Sequence, residues 1–251
     1  MGDIRFFDCN VMVGKRRIKN PGSFYETDEL QRKMGYYGID KALVRHCLAV
    51  EYDPVTGNHA LPDEIKNHPN LSGTWVLLPY HTGEFPTPAE LKDQLKANNI
   101  KTVAMYPKDH MYSLYEWVCG DLFDVLEECN IPLFINHDQI INYKDLHEVL
   151  NCHPKLRIIL TDLHYNTGRN LYPLLDKFNN LFIETIGFKV HGGIEDVCRK
   201  FGAGKLVFGT CAPVYSSGAA VAMVTYAQIS DDEKCMIASG NLERLLKEVR
   251  L

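Results

Sequence analysis

The sequence has no excess of basic residues: 27 Lys and Arg stand against 32 Asp and Glu, a net charge of −5. No Lys/Arg cluster stands out either, so nucleic acid, which leaves a basic patch or stripe on its partners, is excluded as an expected partner. The same lack argues against an anionic membrane surface. No apolar run approaches the roughly 20 residues that span a bilayer. The opening MGDIRFFDCN has no basic segment leading into an apolar one, so no secretory signal is expected there. Gly2 makes no myristoylation motif, because position 6 is Phe6. Cys9, Cys47, Cys119, Cys129, Cys152, Cys198, Cys211 and Cys235 are scattered without a CxxC pair. That excludes a zinc ribbon and reads as thiols in a reducing cytoplasm.

Familiar catalytic signatures are missing as well. His147-Glu148 begins like HExxH, but Asn151 stands where the second histidine belongs. Gly202-Ala-Gly-Lys205 lacks the P-loop spacing and its Ser or Thr, and no GxSxG elbow occurs. His191-Gly192-Gly193 reads as a flexible helix start rather than an anion site. There is no repeat, low-complexity tract or interdomain linker.

What is present is alternation. Apolar β-rich runs fall at Ile4–Cys9, Ala42–His46, Ser72–Leu78, Lys101–Tyr106, Ile131–Asn136, Leu156–Thr161, Asn180–Thr185 and Lys205–Thr210. Several are almost continuously apolar, as strands buried on both faces are. Helical periodicity fills Leu114–Cys129, Tyr143–Cys152, Tyr172–Asn179 and Ile194–Phe201, and a charged helix capped at Ser239 is expected to end the chain. Val50–Pro62 and Pro79–Pro88 read as long loops on the active face. Eight strand–helix units predict one α/β domain over residues 1–251, a (β/α)₈ barrel of the TIM type, with a doubly wound open sheet as the alternative.

Barrel strands converge at their C-terminal ends on one mouth, where catalytic residues of such folds sit. Those ends supply Asn10 and Met12, His46, His81, Tyr106 and Lys108, His137, Asp162 with His164 two residues on, Glu184 and Cys211. Alternation along Leu156, Ile158, Leu160 and Asp162 aims Asp162 into the mouth if those apolar residues fill the barrel, and the same reading aims Leu133, Ile135 and His137 inward. Asp162, His137, Cys211 and His164 are the expected catalytic groups. The rest are expected to bind a small-molecule substrate.

Five fragments, FDCNVMVG, IPLFINH, HPKLRIILTDLH, GKLVFGTCAP and GNLERLL, come in an order that resembles the amidohydrolase-related family of TIM-barrel, metal-dependent hydrolases. That family also holds decarboxylases and lactonases, and its members often form dimers, so a homodimer is an expectation of the resemblance. The resemblance further implies metal ligands at the His-x-His after strand one, at histidines ending strands five and six, and at an Asp after strand eight. Here those positions are Asn10, Met12, His137, Asp162 and Cys211, so only His137 keeps the family residue. Asn and Met are weak ligands for zinc or manganese. No tightly bound cofactor is therefore expected; a divalent metal such as zinc on His137, Asp162 and Cys211 is the alternative.

The resemblance implies a hydrolase acting on a small carboxylated amide or lactone, with Asp162 as general base and His137 as electrophile. Two other readings stand beside it. One is an inactive barrel that binds a small molecule or partner, and the other is a decarboxylase, a reaction that in the resembled family normally needs the metal whose ligands are mostly replaced here.

Overall fold

The computed structural model describes residues 4–18, 20–140 and 142–251. Eight parallel strands pair in sequence order: β1 (Phe6–Val13), β2 (Ile39–His46), β3 (Leu71–Leu77), β4 (Thr102–Met105), β5 (Leu133–Asn136), β6 (Ile158–Thr161), β7 (Leu181–Glu184) and β8 (Leu206–Val207). The residues after β8 return to β1: Cys9 N donates to Phe208 O at 3.0 Å and Met12 N to Ala212 O at 2.8 Å. An open doubly wound sheet cannot make that closure, and the fold is the TIM barrel.

Helices α1 (Thr27–Tyr37), α4 (Pro88–Ala97), α5 (Glu116–Glu128), α6 (Tyr143–Cys152), α7 (Gly168–Lys177), α8 (Gly193–Phe201) and α9 (Ser217–Thr225) link or follow the strands. The segment after β2 is not a loop. It folds as α2 (Cys47–Glu51) and α3 (Pro54–Ile65). The missed signal is Asp53-Pro54. Asp53 accepts the Val55 and Thr56 amides at 3.2 and 3.1 Å, and Pro54 occupies the first helical position, where its missing N–H costs nothing.

The two short helices pack backbone to backbone at Gly57. A Cβ there would lie 2.1 Å from Ala49 N, so Gly57→Ala is expected to cost about 1–3 kcal/mol by overpacking. Urea unfolding checks this. No loss would mean that the α2–α3 contact is looser than the structure places it.

The last helices also differ from expectation. Ser239 is no cap. α10 (Asp231–Cys235) starts at Ser230, whose hydroxyl accepts from Glu233 N while Glu233 reaches back. It then runs through a π-type turn at Met236–Gly240 straight into α11 (Asn241–Lys247). The segment after β3 is a loop up to Thr87, as expected.

Strand parity is the larger correction. Phe7, Leu43, Val76, Ala104, Phe134, Ile159, Phe182 and Val207 cluster together, one from each strand, with Cys9, Tyr106 and with Leu242 and Leu245 of α11. They fill the barrel interior. Leu133, Ile135, Leu156, Ile158 and Leu160 instead join the cluster shared with the surrounding helices. Both faces of these strands are apolar, so alternation alone had no polar face to break the tie.

In β1 the parity changes partway along. Asp8 pairs with Ala42 and Val11 with Val44, so β1 carries one extra residue. This bulge lets Cys9 face the interior while Asn10 and Met12 turn to the mouth and Val11 and Val13 face the helices.

Candidate active site

A cavity of about 480 Å³ sits over the C-terminal mouth. Asn10, Met12, Tyr106, Asp162 and Cys211 contribute to its lining, with Arg16, Arg17 and Glu51 on the β1–β2 side and Asp109, His110, Asn136 and Asp138 on the β4–β5 side. Asp162 does reach the mouth, though not by the expected alternation. Its φ is +53°, and Cys211 has +52°, so each chain turns left-handed just past its strand end. Asn and Asp tolerate that region far better than most residues.

Beneath the cavity lies a buried polar network. Arg45 is only 2% exposed and interrupts the apolar run of β2 on the same face as Leu43. Its guanidinium stacks over Phe134, with Cζ 4.9 Å from the ring centroid. Nη1 donates to Asn10 Oδ1 at 2.7 Å and lies 3.4 Å from Tyr106 Oη, while Nη2 is 3.5 Å from Cys9 O. Asn10 Nδ2 passes the chain on to Glu184 Oε1 at 3.0 Å, and Glu184 Oε2 accepts Asp162 N at 2.9 Å. Asp8 is held in the β1–β8 seam by the amides of Asn10 and Thr210, both at 3.0 Å, and by the Thr210 hydroxyl at 2.5 Å.

Two buried carboxylates thus belong to one network with a single buried cation, which bonds to neither directly and reaches Glu184 through Asn10. Burial pushes Glu184 from its ordinary 4.5 up to about 8, against the pull of its donors from Asp162 and Asn10. Burial also raises Asp8 from 3.8 to about 6, where the Thr210 and Asn10 bonds and Arg45 hold it down. At neutral pH Asp8, in the field of Arg45, is the ionised carboxylate and Glu184 carries a proton. Taking even a paired ion out of water costs several kcal/mol, so this neutrality is what makes the network tolerable.

Both folded values are raised, so the stability these groups contribute is complete below their unfolded values and is lost as pH rises through the folded ones. For Glu184 that window runs from 4.5 to about 8. The melting temperature is expected to decline across it, and Glu184→Gln, which stays neutral, should flatten the decline. An unchanged slope in the variant would remove Glu184 from this role.

The other expected site residues separate. His46 does not face the mouth: β2 turns at once into α2, and His46 Nδ1 is used as the cap, accepting Leu48 N at 3.1 Å. His81 stacks on Tyr80 and lines a neighbouring groove. Lys108 is exposed on the turn after β4, away from the cavity lining. Glu184 lies under the cavity floor, fully buried. His137 and His164 stand together at the β5–β6 rim, with ring centroids 5.2 Å apart.

Sequence reasoning missed Arg45, Arg16 and Arg17. For Arg45 the available signal was a lone charge inside the apolar run ALVRH.

A metal in the manner of the resembled family does not fit this mouth. Arg45 places a fixed positive charge against Asn10, at the position of a family histidine. Cys211, at the position of the family Asp, is buried, and burial foremost pushes its thiol well above its ordinary value. Among the described residues, the only two groups with three potential ligand atoms mutually within 4.8 Å are His137–Asp138–His164 and Asp124–Glu127–His153. Neither includes Asp162 or Cys211, so the alternative set of His137, Asp162 and Cys211 is not gathered.

No protein-family model and no curated protein matches the sequence. Solved structures do match. An uncharacterized TIM-barrel protein, Bb4693 from Bordetella bronchiseptica, aligns over 97% of this chain and 99% of its own with a TM-score of 0.77 and 14% identity. The 5-carboxyvanillate decarboxylase of Sphingomonas paucimobilis gives 0.74 at 14% identity, over 97% and 99%. A dihydroxybenzoic acid decarboxylase from Polaromonas, solved with manganese and 2-nitroresorcinol, gives 0.72 at 14%, over 96% of each chain. At this identity the likeness is one of fold. A putative amidohydrolase from Staphylococcus aureus also shares this fold, with a TM-score of 0.76 at 14% identity over 97% of this chain and 99% of its own. No helix among the described residues is long and apolar enough to cross a membrane.

Proposed function

We propose that this chain is an enzyme that removes the carboxylate of a small aromatic or unsaturated acid as carbon dioxide, in the cavity over the barrel mouth. The observation that carries the reading is Arg16. Its Nε is fixed by Glu51 Oε1 at 3.0 Å, while its Nη1 is buried at the cavity without a hydrogen-bond partner among the described residues. A buried donor left unpaired costs about 1–3 kcal/mol, and a bound carboxylate removes that cost. A second arginine, Arg17, stands beside it on the same wall.

Decarboxylation suits this site better than hydrolysis. Hydrolysis must bring in and activate a water molecule, which decarboxylation does not consume. Decarboxylation must hold an anion and supply a proton. The bond between the carboxylate carbon and its neighbour breaks, its electron pair stays on the neighbour, and that carbon takes the proton.

Asp162 is the group placed to carry the proton. Glu51 is tied to Arg16, Asp109 to Gln139 and Asp138 to His164, whereas among the described residues the Asp162 carboxylate has only the Tyr215 hydroxyl as a side-chain partner. The naming of two structural neighbours as decarboxylases supports the choice of reaction.

Incubation with small aromatic and unsaturated acids, alongside lactones and amides of the same size, tests this. Release of carbon dioxide from an acid is expected. Opening of a lactone or amide without carbon dioxide would return the hydrolase reading. Stabilisation against heat by an acid with no turnover would favour a binding barrel.

A further inference from the structure

We propose that the β5–β6 rim is a divalent-metal site, formed by His137, Asp138 and His164 and displaced from the barrel axis where the resembled family holds its metal. The proposal is independent of the reaction in the cavity.

Three observations carry it. The first is geometry. His164 Nε2 lies 2.9 Å from Asp138 Oδ1 and His137 Nδ1 lies 3.7 Å from the same oxygen. Ligand atoms around a tetrahedral zinc, with bonds of about 2.0–2.2 Å, sit about 3.4 Å from one another, so these separations bracket what a bound ion needs. The third pair completes the group within 4.8 Å.

The second is an orphan. His137 Nδ1 is buried and has no hydrogen-bond partner among the described residues, whereas its Nε2 is 3.0 Å from Tyr143 Oη. With Nε2–H donated to the tyrosine, Nδ1 presents its lone pair to the Asp138–His164 side. Orientation of a ligand imidazole by a bond from its other nitrogen is the usual second layer of a metal site.

The third is the donor set: two imidazoles and a carboxylate suit zinc or cobalt.

The other cluster, Asp124–Glu127–His153, lacks the second imidazole. Its histidine, 3% exposed, is already held by Glu116 at 3.0 Å. Asp138 also lines the cavity, so an ion at the rim would lie at the edge of the substrate space.

The test is titration of the purified chain, stripped with chelator, with cobalt(II) and zinc(II). Visible absorption reports the cobalt and calorimetry the zinc. A single equivalent is expected to bind, with a visible cobalt spectrum of nitrogen and oxygen ligation. Asp138→Asn and His164→Gln should each weaken binding at least about tenfold, and Tyr143→Phe, which frees the ligand imidazole, about 10- to 100-fold. Asn10→Ala and Cys211→Ala should leave it unchanged. Circular dichroism of each variant separates loss of the site from loss of the fold. Absence of binding, or binding that survives the rim variants but falls in those of Asn10 or Cys211, would overturn the proposal and make the trio a plain hydrogen-bond relay.

Discussion

Arg45→Met is expected to lower the unfolding free energy by about 3–5 kcal/mol, the range found when one partner of a buried charge set is removed. Met replaces much of the volume, so the cost is electrostatic more than packing. Asn10 loses its 2.7 Å donor, Tyr106 loses its neighbour, and buried Asp8 loses the nearby positive charge that helps to hold it ionised. The pH dependence separates the two causes. Asp8 titrates at about 6 with the guanidinium in place, and removal of that positive charge pushes it higher. Below that value both carboxylates are neutral and the variant loses less; above it the loss grows. Denaturant unfolding at two pH values on either side of Asp8's folded value checks this. A loss equal at both would mean a packing defect, and a loss under about 1 kcal/mol would mean that the guanidinium is no keystone of the mouth.

Asp162→Asn should reduce turnover of an accepted acid by about 10²–10⁴-fold, the usual contribution of a group that transfers a proton. The variant is well matched to the question. Asp162 sits at φ +53°, a conformation that Asn adopts as readily, and its backbone N–H still serves Glu184. Fold and melting temperature should therefore change little, while the proton carrier is gone. Substrate affinity, set by Arg16 and Arg17, should hold. If activity survives with stability intact, Asp162 has no part in the chemistry. If activity and melting temperature fall together, the residue is structural.

Much of the fold was legible because a parallel barrel is written redundantly. Each strand is a short apolar run and each crossover has its own periodicity, so small boundary errors did not disturb the order. What the sequence hides is facing. Leu160 and Ile159 are equally apolar, and only the packed structure shows that Ile159 enters the barrel while Leu160 meets the helices. Asp162 was placed at the mouth by an argument from the wrong face, and its left-handed turn is what brings it there. The β1 bulge is invisible for the same reason, since no residue type marks the extra position that turns Asn10 inward. Strand-end logic listed His46 and Lys108 with the mouth because it cannot see how the chain leaves a strand: β2 turns directly into a helix that uses the imidazole as its cap. Arg45 lies one residue before the strand end, so a reading confined to termini passed over it.

The central claim is tested most directly by following one reaction in deuterium oxide. The protein is incubated with an aromatic or unsaturated acid that it binds, and the product is examined by proton NMR and mass spectrometry. The account predicts a product that has lost its carboxylate and carries one deuterium on the carbon that bore it, with formation slowed about 10²–10⁴-fold in Asp162→Asn. A product that keeps its carboxylate while an amide or lactone bond has opened would contradict it.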